Sequence, residues 1–121
     1  MPPLVLGLGI PASHPLTPRL FRSTLQKALD SMEADMKASP YGWEMFYLTP
    51  ETDYSLLVDK LREKSWDVVM IGRGLRTLDE LTPFMEKIVN TVHEERPSAK
   101  IAFNATIDKT QEAIRRVMPF K

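Results

Sequence analysis

The chain has 121 residues, with 16 basic and 16 acidic side chains, two histidines and no cysteine. That length makes one compact domain burying roughly two thirds of its unfolded surface, and zero formal charge removes the global field that gathers nucleic acid or anionic lipid, so neither is expected as a partner. Without cysteine there is no disulfide, thiolate nucleophile or cysteine metal site, and a domain without such staples suits a reducing cytoplasm.

The opening stretch, Met1 to Ser13, has no basic leading region, and two glycines break its apolar run. Leu4 to Ile10 therefore reads as a buried first strand rather than a signal peptide, and nothing further on reaches membrane-spanning length. Thr17 as N-cap with Pro18 at the first helical position predicts the first helix, whose inner face carries Phe21, Leu25, Ala28, Leu29, Met32 and Met36. Ser39-Pro40-Tyr41-Gly42 stops it.

Glu44 to Leu48, within Trp43 to Thr49, predicts the second strand, closed by Pro50. Thr52 or Asp53 caps a second helix with Tyr54, Leu57, Val58 and Leu61 facing inward. Asp67 to Ile71 is almost wholly β-branched or long and apolar, as a strand covered on both faces should be, and Gly72-Arg73-Gly74 ends it. Thr82-Pro83 starts a third helix burying Phe84, Met85, Ile88, Val89 and Val92. Ile101 to Phe103 makes the fourth strand, and Asp108 with Gln111 resembles a capping box for a last helix burying Ala113, Ile114 and Val117.

Four strand-then-helix units predict a single α/β domain with a parallel sheet of order 2-1-3-4, the outer two helices on one face and the middle two on the other. Strands 1 and 3 are then neighbours whose outgoing loops, Pro11 to Leu16 and Gly72 to Asp79, open a crevice beside Asn104-Ala105-Thr106. Arg73 and Arg76 flank Gly74 there, so a carboxylate or phosphate is the natural guest; the plainer alternative has Arg73 reaching into solvent and Arg76 pairing with Asp79 or Glu80. His14, on the first crevice loop, is the side chain best suited to moving a proton near neutral pH. Ser13 beside it is a weak nucleophile candidate, and Asn104 and Thr106 either orient a ligand or only terminate the strand. His93 falls in the last turn of the third helix, on the opposite edge, where it complements the helix dipole.

Gly7-Leu8-Gly9-Ile10-Pro11-Ala12 has the letters of a dinucleotide fingerprint, but Pro11 and Pro15 delay the helix and the acidic residue some 20 positions on, Asp30, lies inside that helix. No cofactor is expected on this ground, nor a metal, since His14 has no second histidine at ligand spacing. The seven methionines read as filler on apolar helix faces.

The layout looks like the phosphotransferase IIB and low-molecular-weight phosphatase folds, which need a cysteine where this chain has Gly9-Ile10-Pro11, so that activity is not implied. Leu6-Gly7-Leu8-Gly9, Ile71-Gly72-Arg73-Gly74-Leu75-Arg76, Phe103-Asn104 and Asp108 to Arg116 resemble a group of short uncharacterised proteins with a flavodoxin-like or Rossmann-like layout. The resemblance implies that fold and no assigned activity.

The functional expectation is a small anionic metabolite over the ends of strands 1, 3 and 4, held by Arg73, Gly74 and Arg76 with Ser13, Asn104 and Thr106 alongside. Turnover there would be a cofactor-independent isomerase or lyase step with His14 moving the proton. The competing class is a non-catalytic interaction protein, homodimeric through the strand 2 edge, where Trp43, Met45, Phe46 and Tyr47 gather.

Overall fold

The computed structural model describes residues 2–119. Strands β1 (Leu4–Gly9), β2 (Gly42–Tyr47), β3 (Val68–Ile71) and β4 (Lys100–Phe103) alternate with helices α1 (Arg22–Lys37), α2 (Tyr54–Glu63), α3 (Thr82–Glu95) and α4 (Thr110–Val117). The sheet is parallel throughout, in the order β2-β1-β3-β4 that the alternation predicts. Among the described residues no helix is long and apolar enough to cross a membrane.

Strand pleating sends alternate side chains to opposite faces. Leu6, Leu8, Val69 and Ile71 meet Leu57 and Leu61 of α2 and Ile88 and Val92 of α3 on one face. Val5, Val68, Met70 and Ala102 meet Leu29, Met32 and Met36 of α1 and Ala113 and Ile114 of α4 on the other. On that second face β1 contributes no side chain at Gly7 or Gly9, and the edge strand fills the gap. A Cβ on Gly7 would sit 2.4 Å from Trp43 Cη2 and 2.7 Å from Met45 Sδ, and one on Gly9 would sit 2.6 Å from Met45 Cε. The fingerprint-like glycines thus make room for side chains leaning across from β2.

The helix starts differ from the sequence expectation in three places. Pro18, with ψ 132°, precedes a single 3-10 turn at Arg19–Phe21, and α1 begins only at Arg22; Thr17 spends its amide on a turn to His14 O. Phe21 is consequently 58% exposed rather than on the buried stripe, and Leu20 beside it is 87% exposed. The reason is geometric: Leu25 already packs at the level where the strands end, so one turn earlier there is no sheet to cover. The third helix does start at Thr82-Pro83, but it continues a 3-10 turn and Leu81 holds the cap position with no side-chain bond. Asp108 accepts the Thr106 hydroxyl inside another 3-10 turn instead of forming a capping box with Gln111, a local bond competing with the cap.

Asp53 does cap α2, accepting the Ser55 amide at 3.0 Å. Tyr54 is turned outward from the core, with its hydroxyl 2.7 Å from Thr91 Oγ1 and the Lys87 ammonium 4.3 Å from its ring centroid. At the opposite edge Arg96 donates to the Leu61 and Arg62 carbonyls, closing the end of α2, and Arg62 makes a two-pronged pair with Glu95. His93 lies exposed in the last turn of α3. The close contact over Gly7 gives a prediction. Gly7→Ala should cost about 1–3 kcal/mol by overpacking, read as a lowered urea midpoint, and the cost should shrink in a Trp43→Leu background where the indole no longer fills that space.

Candidate functional site

In a parallel sheet with right-handed crossovers the segments after the strands share one edge, and ligands bind there where neighbouring connections diverge. Here the exits of β1, β3 and β4 surround a cavity of about 50 Å³ on the face covered by α1 and α4. Gly9 and Ile10 supply one wall, Gly72, Arg73 and Gly74 a second, Asn104 and Ile107 a third, and Leu25, Leu29, Met32, Met45 and Met70 the interior. The two later glycines are needed for closeness: a Cβ on Gly72 would lie 3.0 Å from Leu8 O, and one on Gly74 2.8 Å from Ile10 Cγ2. At Gly72 the strand ends therefore approach backbone to backbone, and at Gly74 the turn packs on the Ile10 side chain. Of the residues expected at the site, Arg73, Gly74 and Asn104 meet around this cavity.

The two arginines divide. Arg73 is exposed and donates through Nη1 to the Ala105 carbonyl at 2.6 Å, leaving most of its guanidinium donors at the cavity rim. Arg76 is half-buried, with its guanidinium carbon 5.1 Å from the Phe103 ring centroid. Its Nη2 donates to the carbonyl of Asn104 and, at 3.1 Å, to that residue's side-chain oxygen. Arg76 thus braces the β3 exit against the β4 exit rather than pairing with Asp79 or Glu80. Its Nε is buried and has no hydrogen-bond partner among the described residues. Burial, then the neighbouring Arg73 charge, pulls the Arg76 pKa down.

Asn104 is only 2% exposed and is the node of this network. Its amide nitrogen donates to Thr110 Oγ1 at 3.0 Å, and the Thr110 hydroxyl donates to Ile107 O at 2.7 Å, which fixes the start of α4. The Asn104 amide therefore serves the fold from both ends. Thr106 donates its hydroxyl to Asp108, whose carboxyl is held below its usual range chiefly by that bond.

His14 belongs to a different part of the same edge. Two successive turns, with His14 N donating to Pro11 O and Thr17 N to His14 O, fold the loop so that His14 is 7% exposed while Ser13 points out. The imidazole Nδ1 accepts the Leu16 amide at 3.3 Å, so the ring proton of the neutral form sits on Nε2, which faces Glu51 Oε2 at 3.4 Å. Glu51, on the loop after β2, went unnoticed in the sequence because nothing in its spacing links it to His14. Its carboxyl is pulled below the usual range by the Thr49 hydroxyl first, then its own amide, with His14 adding to them. His14 lines neither the cavity at the strand exits nor the groove beside Arg76.

That groove, about 280 Å³, runs between Leu75, Arg76, Leu78, Thr82, Met85 and Phe103. Asp79 and Glu80 occupy the turn leading into α3, between the groove residues Leu78 and Thr82. Among the described residues no group of three or more His, Asp or Glu side chains is placed to hold a metal ion.

Two outcomes follow from these partners. Asn104→Ala should destabilise the protein by about 1–3 kcal/mol in chemical denaturation, because Arg76 and Thr110 lose a buried partner together. The lowered Glu51 carboxyl contributes stability above the range where an unfolded glutamate titrates, and loses it as pH falls through the folded value. Glu51→Gln should accordingly flatten the acid limb of stability against pH, measured as Tm from pH 7 down to about 3. No family model matches this chain, and neither does any curated protein.

Proposed function

We propose that the protein binds a small anionic metabolite at the C-terminal edge of its sheet, in the crevice where the exits of β1, β3 and β4 meet. The observation that carries this reading is the cavity itself: a recess at the predicted divergence point, apolar inside, with the exposed Arg73 as its only charged lining side chain among the described residues. Close approach of Gly72 to the β1 backbone and of Gly74 to the Ile10 side chain, with the Arg76–Asn104 brace, hold the rim in place, as a preorganised site requires. The likeness to flavodoxin-like domains, which seat ligands at this edge, supports the location, and a cysteine-free domain of this kind fits the cytoplasm. A cofactor-independent isomerase or lyase step would take its proton from His14, backed by Glu51, and would require the 11–17 loop to bring His14 to a cavity that it does not line.

The test is a thermal-shift series with acetate, butyrate, hexanoate, malate and inorganic phosphate. At 100 times its dissociation constant a ligand adds about 2.7 kcal/mol of stability. At least one anion should raise Tm, and Arg73→Gln should weaken it about tenfold or more through loss of a charge-assisted bond, while lowering the unliganded Tm only slightly, because Ala105, whose carbonyl Arg73 serves, is exposed and water can replace that donor. An unmoved Tm with every anion, or equal shifts in Arg73→Gln, would overturn the reading.

A second reading, self-association through β2, is favoured by the strand's backbone. Gly42 and Leu48 donate their amides inward to Pro3 O and Gly9 O, so by the alternation of a parallel ladder the backbone groups of Trp43, Met45 and Tyr47 face outward. Every residue of β2 is partly exposed. Sedimentation at micromolar concentration should show a dimer on this reading, and a monomer removes it.

A further inference from the structure

We infer that the anion taken by this crevice is an aliphatic carboxylate, and that its chain enters by displacing the Met45 side chain from the glycine floor of β1. This rests on the anion reading of the crevice and specifies the ligand.

The lining decides the class. Arg73 supplies one cation, while Leu25, Leu29, Met32, Met70 and Ile107 present hydrocarbon and thioether surface. A polyanion or a sugar phosphate would set polar groups against that wall with no partners, at a cost in desolvation. A single carboxylate on a hydrocarbon chain matches one guanidinium with an apolar recess behind it.

Size decides the mechanism of entry. A volume of about 50 Å³ holds only about three to five water-sized spheres, so any chain longer than a few atoms needs a wall to move. Met70, 1% exposed in the interior strand β3, has no solvent side to move into, and Met32 on α1 is only 5% exposed. Met45 differs, being an unbranched, adaptable side chain on the edge strand, and it is partly exposed. Its sulfur lies over Gly7 and its methyl over Gly9. With Met45 swung outward, the cavity continues along the bare floor from Gly9 to Gly7, about 7 Å of strand, and ends at the Trp43 ring, which already covers Gly7. Trp43 Nε1 is buried and unpartnered among the described residues, so this end of the slot is the less settled part of the core. Side chains at positions 7 and 9 would fill the slot, and the chain has none there.

The experiment is an NMR titration of wild-type protein carrying ¹³C-methyl methionine and ¹⁵N-indole labels with acetate, butyrate, hexanoate, octanoate, malate and inorganic phosphate. Affinity should rise roughly fourfold per added methylene from butyrate onward, the equivalent of about 0.8 kcal/mol each. The methyl signals of Met32, Met45 and Met70 should move while those of Met36, Met85 and Met118 stay, and the Trp43 indole signal should move while that of Trp66, on the other face of the sheet, does not. Arg73→Gln should weaken every chain length by a common factor, and Met45→Ala should tighten octanoate more than butyrate. Arg73-dependent binding of malate or phosphate with no gain along the carboxylate series and unmoved Met45 and Trp43 signals would overturn the aliphatic ligand and leave the anion site standing. Failure of every probe to bind would overturn both. Octanoate binding that ignores Arg73 and shifts all the methionines alike would be detergent-like contact, and would also overturn the proposal.

Discussion

The architecture depends on β1 being paired along both sides while lacking side chains at two of its positions. A central parallel strand is buried on both faces and needs apolar cover from each. Val5, Leu6 and Leu8 supply their share, but Gly7 and Gly9 pass the task on one face to β2, so an edge strand carries large side chains inward. Trp43 and Met45 are consequently core residues of β1's surface as much as of their own strand. The same arrangement leaves the core over β1 walled by Met45, a partly exposed side chain of the edge strand.

A second constraint holds the strand exits together. Loops at a sheet edge cannot complete their hydrogen bonds with ladder partners, so carbonyls after β4 need donors from elsewhere. Arg73 and Arg76 provide them to Ala105 and Asn104 from across the β3 exit. On the opposite edge Arg96 does the same for the carbonyls of Leu61 and Arg62. Guanidinium groups suit this work because their donors fan out in a fixed plane and reach two acceptors at once. The edge that carries the candidate site is therefore braced by charged side chains.

Strand existence, order and crossing pattern were legible in the sequence because each strand is a short apolar run bounded by glycine, proline or charge, and each helix shows a buried stripe at three and four residues. Val68–Ile71 is the clearest case, with all four residues buried. Helix starts were less legible: Pro18 marks the end of the loop correctly, but only the position of the sheet edge decides that regular helix begins at Arg22. Of the site, Arg73, Gly74 and Asn104 could be found because topology alone brings the β3 and β4 exits together. Met45 and Glu51 could not. The first reaches the cavity across a neighbouring strand, and the second meets His14 through two loops whose turn geometry the sequence does not declare.

The division between the two arginines follows from three residues of spacing in a single turn. A 3-10 turn at Arg73–Leu75 carries Arg73 toward the α1 and α4 face and Arg76 toward the α3 side. Arg76 is committed: its Nη2 is bound to Asn104, its plane lies by Phe103, and its Nε is buried. Arg73 keeps solvent access, and its charge is one of the two causes that lower the Arg76 pKa. Both guanidiniums stay charged wherever the protein is folded, so the two cations sit side by side, each donating to a carbonyl beyond β4. One guanidinium is thus committed to joining the β3 and β4 exits, while the other, three residues earlier, keeps donors at the cavity rim.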